Sequence, residues 1–599
     1  MQNQYRPIGS KKLMSRKILS SSFVVLLLAA IFCSGPAIAS VEGPPKPGYV
    51  GVEFTDLTYE TTSYLIPESV KDDDHPTTDP TCASVSDKKC DGKSVRFNAV
   101  MPVCVNDSDI NCIASVEAVD VSGKRFPASM NGYFPSESKT AFAGDPKLHL
   151  PSGAASSLWS LPAAAHCGGT NYALSFSANG SYQMGDTRIQ KNDAVAHISN
   201  LQIRLSPINI VSGSVTDIGK ASGIGADCGA PNQGIWLCDK DGWSNGNAYN
   251  SSLTPDWANF HTDSGTCAVK YPFPEGFRFR VVVRTNLLTT GWLHGRLADP
   301  RVKITQVSNS SIIDVEAAPL IVSSVVAFTP WKDLPAAEQA TYDSRGSFRC
   351  PNGNALGNRG DLGPDPATRS TITQASSSGE CSMLLLQTWF SHIADKATDS
   401  NSVWSLRNLG ADSQVDSDSN AGMDACFNDS SSVAGLVTTN STTYLAGPPV
   451  FNKADGVLTY KVSSPHLQPD GSIFKGIYNL ALRSDVARCI YKFTSAPLSA
   501  SIEVVSENGS QQVATTSMSE KDGWIYLSAS GFTYSSPTVK VKLVQSKVEV
   551  PVEPAPTALA PAASPQVAAA KKSITCMKGK TVKKVTAVNP KCPVGYKKK

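Results

Sequence analysis

Charge is scarce in this chain: Asp, Glu, Lys and Arg make up 18 % of its 599 residues. The fifteen cysteines contain no C-x2-C pair, and the eight histidines contain neither H-x-x-x-H nor H-E-x-x-H. Those absences remove the spacings of structural zinc modules and zinc hydrolases. Beyond the N-terminus no apolar run approaches the roughly 20 residues that cross a bilayer. There is no short-period repeat, which argues against a solenoid. No L-P-x-T-G signal offers covalent attachment to a cell wall. Long amphipathic helices between strands are missing, which disfavours a parallel βαβ sheet. No carboxylate spacing argues for glycosidase chemistry. Ser, Thr, Gly, Asn and Pro take the place of charge, a composition suited to extracellular β-proteins rich in turns.

The N-terminus carries a secretory signal. Lys11, Lys12, Arg16 and Lys17 precede the apolar stretch Phe23–Phe32, and Ala37-Ile38-Ala39 is a small-x-small cleavage site before Ser40. Cys33 follows Phe32 where a lipobox needs a small residue, so lipoprotein processing is set aside. Removing residues 1–39 leaves fourteen cysteines, an even number, which reads as disulfides in an exported chain. Proximity suggests Cys82 with Cys90, Cys104 with Cys112, Cys228 with Cys238, and Cys576 with Cys592. The other six cysteines stay open, with Cys489 within reach of Cys426.

The formal net charge conceals a split. With the total at +3, residues 1–39 at +5 and residues 571–599 at +10, the body between them carries −12. Such a division speaks to partners rather than to fold.

At roughly 100–200 residues per domain the length accommodates about three or four domains. Residues 40–325 read as a β-rich region of one or two sandwich-like domains, with strands at Ser94–Val103, Tyr172–Ala178, His197–Leu205 and Phe277–Arg284. Residues 326–448 read as a mixed helical and loop region. A short helix follows Asp333-Leu334-Pro335, and a second covers Glu380–Lys396. Residues 449–546 show about seven strands spaced by turns at Pro469-Asp470-Gly471, Glu507-Asn508-Gly509 and Lys521-Asp522-Gly523, a count that fits an immunoglobulin-like sandwich. Residues 547–570 form a Pro/Ala-rich linker. Residues 571–599 predict a Lys-rich mini-hairpin closed by Cys576–Cys592. The expected fold class is therefore mainly β: antiparallel sandwich domains, a small helical middle, a linker and a basic hairpin.

Few motifs suggest chemistry. His261-Thr262-Asp263-Ser264-Gly265 places His, Asp and Ser in one run, whereas triad members converge from separate segments. Asp416-Ser417-Asp418-Ser419-Asn420 alternates oxygen ligands as a calcium loop does, but Ala421 and Phe427 stand where an EF-hand has Gly and Glu. Trp292-Leu293-His294-Gly295-Arg296 admits two readings: a ligand cluster for a glycan or an anion, or a buried structural cluster at a strand end. No catalytic residue and no cofactor or metal site is assigned, and the balance leans away from an enzyme. The basic tail has the clearest physical task. Lys578, Lys580, Lys583, Lys584, Lys591, Lys597, Lys598 and Lys599 are its candidates for holding anionic polymers. Export argues against nucleic acid as the partner.

The segments Ser464-Pro465-His466, Leu482 to Cys489, Glu520 to Trp524 and Gly531-Phe532-Thr533 are joined by the tail motifs Ile574 to Lys580 and Pro590 to Lys597. Together they resemble uncharacterised exported actinobacterial proteins with a Lys-rich, two-Cys C-terminal tail. The resemblance is good over residues 380–599 and looser upstream. It implies bacterial export and a surface location, and supplies no catalytic residues. The resulting expectation is an exported, cell-envelope-associated protein with a structural, adhesive or ligand-binding role. Its tail would meet anionic cell-wall or membrane polymers, and its body a glycan or protein ligand. The alternatives are a secreted enzyme acting on polysaccharide and a carbohydrate-binding protein.

Overall fold

Apolar and polar residues alternate over short runs broken by Gly, Asn, Asp and Pro, and such runs build strands. The structure, a computed structural model, describes residues 47–54, 63–67, 81–90, 94–136, 140–183, 196–214, 235–238, 264–287, 291–375 apart from 345, 352, 354, 362–364, 366 and 369, 379–408, 426, 433–545 apart from 446, 507 and 535, and 571–599. The fold is mainly β, with several antiparallel sheets and, among the described residues, three α-helices. The chain divides into two compact units, residues 1–546 and 547–599.

In the first unit an eighteen-stranded sheet network is organised by long strands that serve two neighbours in succession. His197–Ser214 pairs with Asn171–Gln183 along one edge. Along the other it meets Asp399–Asn408 and then Ser264–Lys270. Asp399–Asn408 leads to Trp292–Arg296. From there the sheet runs through Gly435–Thr439, Lys475–Arg483 and Trp524–Thr533 to an edge strand, Thr515–Lys521. Strands from residues 40–325, 326–448 and 449–546 thus share one sheet. Phe97, Tyr172, Phe176, Phe279 and Trp404 are buried in the largest core.

The last part of this sheet is one layer of a sandwich. Val457–Ser463, Thr538–Gln545 and Leu498–Val505 form the centre of a six-stranded sheet. Leu458, Tyr460, Val462, Val539, Val541 and Leu543 alternate inward along two of these strands. They share one core with Tyr478, Leu480, Ile525 and Leu527 of the large sheet. The expected turns are present. Asp522 and Gly523, both at positive φ, join Thr515–Lys521 to Trp524–Thr533 as a two-residue hairpin.

A five-stranded sheet stands apart, in the order Ala298–Val307, Ser310–Ala318, Phe277–Thr285, Cys112–Asp120, Arg125–Pro127. One face is apolar: Val116, Val281, Val315 and Val302 are buried on directly opposed positions. The other face is charged.

The first expected helix is a single turn, Ala336–Gln339, just after Pro335. The second is Glu380–Trp389, which buries Ser382, Leu385, Leu386 and Trp389 at helical spacing and ends before Lys396. The third helix, Ser484–Tyr491, runs into the segment Ile490–Phe493, which reads as a strand from the sequence. Disulfides join Cys82–Cys90, Cys104–Cys112, Cys350–Cys381 and Cys426–Cys489 in this unit. Cys167 and Cys267 are also disulfide-bonded. The expected pairing of Cys228 with Cys238 cannot be placed, because Cys228 lies outside the described residues, as do residues 1–39 and the linker.

In the second unit Lys572–Lys578 pairs with Thr581–Ala587 and with Lys597–Lys598. Gly579, at φ 60°, sits in the turn. The Cys576–Cys592 disulfide closes it.

Candidate functional site

The second unit is a scaffold for lysine. All ten lysines of residues 571–599 are exposed, and the segment contains no Asp or Glu. Directly opposed residues share a face of an antiparallel pair, so the register distributes the charge over both faces. Lys584 and Lys597 lie with Met577 and Val582, and Lys583 and Lys598 with Cys576. Val582, Val588 and Val594 are exposed between the charges. Cys576 is fully buried and bridged to Cys592. A module this small has little core, so the staple holds its lysines in place. The result is a compact cationic surface whose range in solution is set by salt.

The Trp292, His294 and Arg296 cluster lies in the interior of the first unit, with 2 %, 0 % and 1 % exposure. Gly435 makes room for the Trp292 ring, since a Cβ there would collide with it. Arg296 donates to the backbone oxygens of Thr439 at 2.8 Å, Ser441 at 2.7 Å and Thr442 at 3.4 Å, and lies over the Tyr444 ring. His294 stacks on the same ring, and its Nδ1 is 3.3 Å from the Tyr460 hydroxyl. Loss of water holds its imidazole down at about 3. The charges of Arg407 and Arg296 add to that effect, and a backbone contact with Gly447 opposes it. The cluster thus fixes the 439–442 turn and the aromatic pair beneath it.

The charged face of the five-stranded sheet presents a cross-strand ladder that the sequence reading does not single out. Glu117, Arg280, Glu316 and Arg301 occupy one rung on four neighbouring strands. Arg280 grips Asp314 with two bonds of 2.7 Å and reaches Glu117 at 2.9 Å. Glu316 pairs with Arg301 at 2.8 Å and with Arg278 and Arg125 at 3.1 Å. The Asp314 hydrogen bonds are the main reason that the Arg280 guanidinium is held above its ordinary range. Burial is the main reason that Arg278 lies below it, and Arg301 adds to that.

Beside this face runs a groove of about 430 Å³. Its other wall is the hairpin Thr515–Lys521/Trp524–Thr533, which contributes Ser517, Ser519, Tyr526 and Ser528 on one face. Tyr526 ties the walls together: its hydroxyl donates to Val302 O and accepts from Val302 N, both at 3.2 Å. Asn479 lines the groove and is 3 % exposed. Its Nδ2 donates to Thr438 Oγ1 at 3.0 Å and to Leu297 O at 3.3 Å, while its buried Oδ1 has no hydrogen-bond partner among the described residues. The alternating charges of Phe277–Thr285, Ala298–Val307 and Ser310–Ala318 are a visible signal for this site. What the sequence conceals is that the three strands are neighbours.

The oxygen-rich run Asp416–Asn420 and residues His261 to Asp263 lie outside the described residues. So does Gly242-Trp243-Ser244-Asn245-Gly246, which has the G-x-S-x-G spacing of a nucleophile elbow, a motif that needs a strand before it and a helix after it. Among the described residues no group of three or more His, Cys, Asp or Glu is placed to hold a metal ion. Also among them, no helix is long and apolar enough to cross a membrane. Compared with known proteins, the chain matches no family, no curated protein and no solved structure.

Proposed function

We propose that this is an exported protein of the bacterial cell envelope with a structural, adhesive or ligand-binding role, held to anionic cell-wall or membrane polymers by residues 571–599. The observation that carries this reading is the surface of the second unit: ten exposed lysines, no acidic side chain, and a disulfide that keeps them on a folded scaffold. Each lysine near an anionic surface contributes about 1 kcal/mol, and added salt weakens the attraction. Five described disulfides support an oxidising destination, and the signal sequence at residues 1–39 supports the route. A phosphate- or carboxylate-bearing polymer meets the requirement of a dense, flexible anion. Nucleic acid would satisfy the same charges, but export takes the protein away from it.

The test is co-sedimentation of the mature protein with purified actinobacterial envelopes, with and without residues 571–599, across a salt series. Binding that needs the tail and fades with salt is the expected result. Binding that is indifferent to the tail, or none at all, overturns the reading.

A further inference from the structure

We propose that the groove between the charged face of the five-stranded sheet and the serine-bearing face of the Thr515–Lys521 hairpin is a binding site for an uncharged, hydroxyl-rich ligand, a saccharide chain. Its volume of about 430 Å³ falls within the roughly 300–1,000 Å³ of small-ligand sites. The charges lining it nearly cancel. Five basic side chains face four acidic ones, and the arginines of the ladder are already engaged by Glu117, Asp314 and Glu316. A polyanion entering here meets Asp314 and Glu316, and a polycation meets Arg280 and Arg301. A sugar meets neither penalty, because each hydroxyl both donates and accepts.

The groove also has unused hydrogen-bonding capacity. Ser517 and Ser519 are exposed on the strand Thr515–Lys521, which among the described residues pairs on one side only. Tyr526, bonded to both polar groups of Val302, fixes the spacing of the walls before any ligand arrives. A site set in advance spends little of its binding energy on ordering.

The experiment is saturation-transfer NMR on the mature protein with chitohexaose, cellohexaose, maltohexaose and mannohexaose, and with a heparin fragment as the anionic comparison. It is run at low and high salt, and repeated on the chain lacking residues 571–599. At least one neutral oligosaccharide is expected to bind equally at both salt levels and with or without the tail. Ser519→Arg and Ser517→Arg, both at exposed positions, are each expected to weaken it about tenfold or more. Failure of all four neutral sugars overturns the proposal. So does binding that both substitutions leave intact, or binding confined to heparin. Because the tail is absent from one arm, failure here and failure of envelope attachment remain distinguishable.

Discussion

Glu316 exposes 6 % of its side chain and accepts from Arg125, Arg278 and Arg301 together. Removing its charge leaves three guanidinium groups crowded on one face, and a broken buried pair costs about 3–5 kcal/mol. Arg125 and Arg301 are 50 % and 68 % exposed, so water takes over part of the lost interaction. Glu316→Gln is therefore expected to lower stability by about 2–3 kcal/mol, read from the urea midpoint. His294 has the opposite dependence from a paired histidine. Its folded-state pKa of about 3 lies below the ordinary 6.5, so the unfolded chain binds the proton first. Its contribution is complete above pH 6.5 and is lost as pH falls from there towards 3, at about 1.4 kcal/mol per pH unit. Urea titrations from pH 7 to pH 4 are expected to show a flatter acid limb for His294→Gln than for the parent, and parallel limbs would refute this. At this scale the sequence was half legible. Trp292, His294 and Arg296 stand out as a cluster, but their depth is set by Tyr444 and Tyr460, more than 140 residues away in the chain.

Elements follow the same division. The strands of residues 449–546 fall close to where alternation and turn residues place them, because a sandwich with one wet face needs period-two patterning. The helix Ser484–Tyr491 escapes that logic. Asp485 in its first turn and Lys492 in the left-handed conformation at its end favour a helix, and Val486, Ala487 and Ile490 form a buried stripe. Eight residues are too few for periodicity to separate such a stripe from a strand. The basic module depends on its staple in a way no strand of the sandwich does. Replacing Cys576 and Cys592 by serine is expected to abolish amide-exchange protection in Lys572–Lys578 while leaving Lys475–Arg483 protected. Retained protection in the double variant would show that the three short strands hold without the bridge.

At the scale of the whole molecule, residues 40–570 carry −12 and residues 571–599 carry +10, so past residue 39 the two signs of charge are segregated along the chain. Its domain plan was the least legible level. A sheet that enlists strands from early, middle and late segments records pairings between residues hundreds apart, and composition carries no trace of them. The bridges have a simpler order. Cys82–Cys90, Cys104–Cys112, Cys350–Cys381, Cys426–Cys489 and Cys576–Cys592 each join a cysteine to the next one in the chain. A polypeptide threading N-terminus first into an oxidising compartment meets these partners in succession. On the proposed export route each bond would close as its second thiol emerges, before the next thiol follows, so for these five the order of emergence would favour the pairing observed.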